Sequence, residues 1–241
     1  MLLDLWARAT TPQPPLSWQV AVLLGVLALV VTWSPVGYRL TRHLVTLVHE
    51  AGHALVAALV GRRLTGIRLH SDTSGVTVSR GRPRGVGMVA TVLAGYPAPA
   101  LVGLAGTFAL GQGYAAGLLW ALVLVCALML LLVRNLYGLW VVVATGAGVA
   151  ALSWAAPGEV VSGTAYLVVW GLLLAAPRSV VELQRERRRR QGGSSDVDQL
   201  ARLTGVPAAL WVALFWLLCV AALVLGAREL VPLDDVSAWA G

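Results

Sequence analysis

Long apolar runs separated by short polar breaks dominate this chain. Trp18 to Trp33 is free of charge, has a tryptophan at each end, and stops at Ser34-Pro35-Val36-Gly37. Tryptophans so placed suit the two membrane interfaces. A second run, about Leu40 to Val60, begins beside Arg39 and Arg42. Val86 to Leu110 is a third, disturbed at Gly95-Tyr96-Pro97-Ala98-Pro99. Proline kinks a membrane helix and frees a carbonyl, so the first third of this run can stand apart as a short or re-entrant segment. Tyr114 to Val133, Leu136 to Trp154, Val160 to Ala176 and Ala208 to Leu225 follow. A membrane helix needs about 20 mainly apolar residues. The pattern predicts an all-α polytopic membrane protein of about seven transmembrane helices.

The polar stretches between the runs differ in kind. Residues 1–17 contain Pro12, Pro14 and Pro15 and predict a rigid, non-helical lead-in. After Gly61-Arg62-Arg63, the residues Ile67, Leu69, Val76 and Val78 alternate with polar ones around Ser71-Asp72-Thr73-Ser74-Gly75. That predicts a small β-hairpin over residues 64–80. Its plain use is to connect two helices; beside a membrane active site it would cover the site or pair with an extended substrate. Residues 177–207 form the one long polar stretch, with a charged helix at Glu182 to Gln191 and a break at Gly192-Gly193. Ser195 then suits an N-cap, with Asp196 in the first turn and Asp198 at the third helical position. The organisation expected is a lead-in over 1–17, an integral membrane domain over 18–226 and a tail over 227–241.

Composition strengthens the membrane reading. Of 241 residues 58% are hydrophobic and 12% charged, against about 25% charged in a soluble domain; the mean hydropathy is +0.79. The formal net charge is +7, and the chain contains no lysine, so every base is an arginine. The arginines gather between apolar runs, where they meet anionic headgroups and set topology. The cluster Arg185 and Arg187 to Arg190 is expected in the cytosol, making 177–207 a cytosolic basic segment. Walking back through the runs puts Arg134, Arg80 to Arg84 and Arg62-Arg63 on the same side, and leaves Arg39 and Arg42 on the other. Nucleic-acid binding is a poor fit, because aromatic residues do not interleave with the arginines and no soluble domain carries a groove. Cys126 and Cys219 lie inside apolar runs and read as small packing residues.

One run carries the chemistry. His49-Glu50-Ala51-Gly52-His53 lies within the second apolar stretch. Residues four apart share a helix face, so both imidazoles can point at one ion, with Glu50 in reach of a water on it. This is the H-E-x-x-H arrangement of zinc hydrolases, in which the glutamate is the general base. Ionisable groups at membrane depth mark a functional site, and Zn2+ would satisfy all three. The alternative is an interhelical polar cluster or proton relay. A third protein ligand must come from far along the chain, since His43 fits the motif's face poorly. Glu182, Asp196 and Asp198 are the candidates, with Asn135 as an outsider. Capping accounts for Asp196 and Asp198 without metal, and Glu182 can pair with Arg178 or Arg185. His70 and Asp72 read as solvated turn residues.

The segment Leu47-Val48-His49-Glu50-Ala51-Gly52-His53-Ala54 resembles the site-2-protease-type zinc metallopeptidases, peptidase family M50, and within it the M50B-like branch of bacterial membrane proteins. The resemblance continues through the hairpin with Gly75, Ala94-Gly95-Tyr96 and Arg134-Asn135-Leu136-Tyr137-Gly138, and ends in Ser195-Asp196 to Pro207. It implies a zinc metalloendopeptidase of the bacterial plasma membrane, acting on membrane-associated proteins. His49 and His53 would be ligands and Glu50 the catalytic glutamate. The family's usual third ligand, an aspartate in an Asn-Pro…Asp-Gly setting, is missing; the branch's Ser-Asp element implies Asp196 instead. The competing class is a non-proteolytic transporter, binding or scaffold protein on a protease-like core. The absence of a second copy of the 40–85 unit counts against a transporter built from inverted repeats. Nothing in the sequence sets an oligomeric state.

Overall fold

The computed structural model describes residues 2–190 and 195–231. Ten helices and one hairpin follow in order: α1 (Leu2–Thr10), α2 (Trp18–Trp33), α3 (Pro35–Leu59), β1 (Arg63–Leu69), β2 (Gly75–Arg80), α4 (Val86–Leu93), α5 (Pro97–Gly111), α6 (Ala115–Leu130), α7 (Leu136–Ala155), α8 (Gly158–Arg190), α9 (Asp196–Thr204) and α10 (Ala208–Leu230). The Gly192-Gly193 break and the tail beyond residue 231 lie outside the described residues.

The count of seven spans is not upheld. Among the described residues α7, α8 and α10 are long and apolar enough to cross a membrane alone. Two bent pairs, α2 with α3 and α4 with α5, raise the count to five if each is one span. At 16 residues α6 is about 24 Å long, short of a hydrocarbon core of about 30 Å. Hydropathy reports apolar runs but not the angle between consecutive ones, and here α3 turns 100° from α2 while α5 turns 62° from α4. Helix α3 also starts earlier than expected, because Ser34 caps it through a bond from the Gly37 amide and Pro35 takes the first turn.

Two further expectations are corrected. The lead-in is helical over Leu2–Thr10, ahead of its prolines. The sixth apolar run and the charged helix after it are one element, with α8 continuing through Pro177 to Arg190.

The fold is organised around α8. Trp170 Nε1 donates to the Ala21 carbonyl and Arg178 to that of Thr32, so α2 runs parallel to α8. Helix α5 runs the other way, Gly103 lying against Leu173 and Gly106 against Val169. Tyr96 stacks on Phe215 and Thr107 faces Gly226, which sets α10 along α5. Leu173, Val169 and Ala176 of α8 join α2, α5 and α10 in one core. Leu172 and Ala175 join Leu47, Val48, Ile67 and Val142 in a second, built from α3, the hairpin, α6 and α7. Helix α3 crosses between the two. Arg42 therefore meets Glu182 at 2.5 Å, at the same end of α8 as the arginine cluster.

The hairpin is antiparallel, with Ile67 opposite Thr77 and Arg68 opposite Val76. Residues directly opposite share a face. Ile67 and Leu69 thus face inward with Thr77 and Gly75, while Val76 and Val78 face outward and are half exposed. The outer edge of β1 is occupied by the α6–α7 junction: the Ile67 amide donates to Leu132 O at 2.8 Å and the Arg134 amide to Ile67 O at 2.9 Å. Asn135 extends this bridge with its side chain, giving Nδ2 to Leu69 O at 2.6 Å and taking the Leu69 amide on Oδ1 at 3.2 Å.

Candidate metal centre

Helix α3 sets three groups on adjoining faces. His49 and His53, one turn apart, face the α4–α5 corner; Glu50, about 100° round the helix, faces β2. The two Nε2 atoms are 3.0 Å apart. Helix α9 brings Asp196 to them, its Oδ2 lying 3.2 Å from each Nε2. One ligand atom from each residue lies within 4.8 Å of the others, and this is the one such cluster among the described residues.

The remaining sequence candidates are engaged elsewhere. Glu182 takes the Tyr38 hydroxyl at 2.8 Å and Arg42 at 2.5 Å, with Arg178 at 3.7 Å. Asp198 binds Arg187 at 2.9 Å and its amide is capped by Ser195. Asn135 is committed to Leu69. Asp72 takes the amide and hydroxyl of Ser74, a local turn. His43 meets the Tyr137 hydroxyl at 3.2 Å.

The cluster fits a tetrahedral cation. Zinc ligands at about 2.0–2.1 Å stand about 3.3–3.4 Å apart, close to the 3.0 and 3.2 Å separations present. His53 Nδ1 lies 2.7 Å from Thr91 O. A carbonyl only accepts, so Nδ1 carries a proton and Nε2 is the atom free to coordinate. Burial alone would raise the Asp196 carboxyl, but the hydrogen bonds and positive charge of His49 and His53 outweigh it and hold it well below its ordinary range.

Close approach to the rings requires Gly95. A methyl group there would lie 2.5 Å from His53 Cε1 and 2.6 Å from His49 Cε1. Tyr96, next in sequence, sets its ring edge-on to His49 with centroids 4.8 Å apart. On the other side, Glu50 is 2% exposed and its Oε2 accepts from Thr77 Oγ1 at 2.5 Å. Its Oε1 faces Gly75, where a methyl group would come within 2.5 Å. A cavity of about 400 Å³ opens onto both groups, lined among others by Thr46, Thr73, Val76, Glu186 and Arg187.

Thr77, Thr91, Gly75 and Gly95 were not singled out by the sequence for roles at the site. Thr77 was legible only as a polar position alternating with Val76 and Val78, and Gly95 as a helix disturbance and as part of the Ala94-Gly95-Tyr96 resemblance. The backbone carbonyl of Thr91 carries no sequence signal.

A polytopic helical protein with a buried His–His–Asp cluster able to chelate a cation, and a buried glutamate one residue from one of its histidines, belongs to the metal-binding, protease-related membrane proteins. The chain is a member of the Peptidase M50B-like family, whose model matches residues 22–226. No curated protein and no solved structure matches it.

Proposed function

We propose that this protein is a zinc metalloendopeptidase of the bacterial plasma membrane, acting on membrane-associated protein substrates, with His49, His53 and Asp196 as ligands and Glu50 as general base. The carrying observation is the convergence of two imidazoles and a carboxylate within 4.8 Å, one residue from a glutamate that is 2% exposed. Zinc bound there would polarise the scissile carbonyl and acidify a water.

The chain's own groups divide the remaining work. Thr77 occupies Oε2 of Glu50, leaving Oε1 to take a proton from the attacking water and later return it to the leaving amine. Thr91 fixes the tautomer of His53. The inner face of β2 limits the positions open to Glu50, through Gly75 and Thr77. Family membership supports peptide hydrolysis over transport or scaffolding.

The test is purified Glu50→Gln protein, assayed for bound zinc and for cleavage of a membrane-anchored reporter. Zinc retained at the wild-type level with cleavage lost supports the reading. Undiminished cleavage refutes it.

A further inference from the structure

The turn of α8 that faces the metal cavity also has a back. Arg187 points into the site, its Nε donating to Asp198 Oδ1 at 2.9 Å. Arg185 and Arg188, three residues apart and hence on one face, point the other way, over a groove between α8 and α10. The floor is apolar, built from Val181, Val212 and Trp216, and the groove holds about 400 Å³. Both arginines are exposed, and neither meets a carboxylate among the described residues. Helix α10 is open outward: of its most apolar stretch only 17% is buried within the protein. The groove also sits where the apolar part of α8 gives way to its arginines, the level at which a bilayer's hydrocarbon meets its headgroups.

The geometry points to a binding site for an anionic phospholipid in this groove, the phosphate between Arg185 and Arg188 and the upper acyl chain against Val181, Val212 and Trp216. Charge complementarity selects the headgroup: two guanidiniums with no carboxylate partner among the described residues match a phosphate bearing net negative charge better than a zwitterion. The apolar floor, continuous with the uncovered face of α10, selects a lipid over a soluble anion. The occupant would brace the back of the helical turn whose front holds Arg187 on Asp198. This site stands whether or not the metal centre is proteolytic.

Native mass spectrometry of the full-length protein in detergent micelles, titrated with phosphatidylglycerol or phosphatidylcholine, tests it. The first phosphatidylglycerol should be retained and phosphatidylcholine should not. Arg185→Gln with Arg188→Gln should weaken phosphatidylglycerol binding on the order of 30-fold, while Arg185→Lys with Arg188→Lys should keep most of it and guard against misfolding. The equally exposed control pair Arg82→Gln and Arg84→Gln removes the same charge and should leave binding unchanged. Equal losses in both glutamine pairs would reduce the effect to bulk charge and overturn the site, as would equal retention of phosphatidylcholine. Displacement by millimolar inorganic phosphate would overturn it in favour of a free-anion site.

Discussion

Gly95→Ala isolates the metal centre without altering any ligand. The added methyl would sit 2.5 Å from His53 Cε1 and 2.6 Å from His49 Cε1, where carbon atoms normally stay about 3.5–4.0 Å apart. Each ring would have to retreat by about 1 Å, whereas metal sites tolerate about ±0.2 Å in ligand position. His53 cannot retreat freely, because its Nδ1 is held 2.7 Å from Thr91 O. Overpacking of this kind costs about 1–3 kcal/mol, which lowers metal affinity about 5- to 150-fold when the strain falls on the liganded geometry. The positive φ that would forbid a side chain is absent at Gly95, so the backbone of the α4–α5 turn does not itself exclude alanine. The apo protein should therefore lose no more than about 1–3 kcal/mol of stability, and the increment added by zinc should shrink. Zinc affinity by competition with a fluorescent chelator, and melting with and without zinc, read the two parts separately. Gly148→Ala, where nothing lies within 4 Å of the new methyl, is the control. Wild-type zinc affinity in Gly95→Ala would refute the idea that both rings must hold their present positions to bind metal.

Other groups give separable outcomes. Gly75→Ala drives a methyl to within 2.5 Å of Glu50 Oε1, so zinc should stay bound while cleavage falls about 100-fold or more, as for loss of a general base; joint loss of metal and activity would count against separate roles for the two faces of α3. Asn135→Ala strips both polar groups of Leu69 of their partners and should cost about 1–3 kcal/mol, read as faster amide exchange in β1 with α7 unchanged. Arg187→Gln frees α9 from α8 and should weaken zinc about tenfold, the lower end for groups that orient ligands, measured by the same chelator competition; unchanged affinity would show that the Ser195 cap alone positions Asp196. Burial would raise the Asp198 carboxyl, but hydrogen bonds from Ser195 and Arg187 and the guanidinium charge hold it below its ordinary value. A depressed folded value means its stabilisation is present at neutral pH and is lost as pH falls through that value. Amide exchange in α9 should stay slow through the ordinary carboxylate range and rise only at lower pH.

The legible parts of this molecule were those written in short-range pattern. The H-E-x-x-H spacing is a property of one helix, so His49 and His53 could be paired from sequence by geometry alone. The hairpin was legible from alternation, but its register was not: alternation cannot say whether Val76 shares a face with Ile67, and the observed pairing of Ile67 with Thr77 puts it on the other. Asp196 lies 143 residues from His53; capping does not distinguish it from Asp198, since both suit the first turn of a capped helix, and only the Ser-Asp element of the resemblance favoured it. Their separation is tertiary: Arg187 claims Asp198, leaving Asp196 for the histidines. The span count failed because proline and serine at residues 34–35 start a new helix as well as end an old one. Only packing against α8 decides that the new helix crosses the bundle instead of returning along it.

That crossing explains how one helix serves the whole centre. A helix antiparallel to α2 would offer its neighbours only the faces along a bundle. Crossing at 100°, α3 meets the α4–α5 corner on one face and the hairpin on another, with α9 closing over the first. His53, Glu50 and Asp196 each have an anchor that involves no metal: Thr91 O for His53, Thr77 Oγ1 for Glu50, and for Asp196 the cap of α9 with the Arg187–Asp198 pair. The anchors stand on three different elements, so each group is held against the others by the fold. Anchors of this kind hold the side chains in the geometry that a bound cation would need. The glycines at 75 and 95 follow from the same logic: rigid anchors behind the side chains leave no slack, and the facing backbone must be bare.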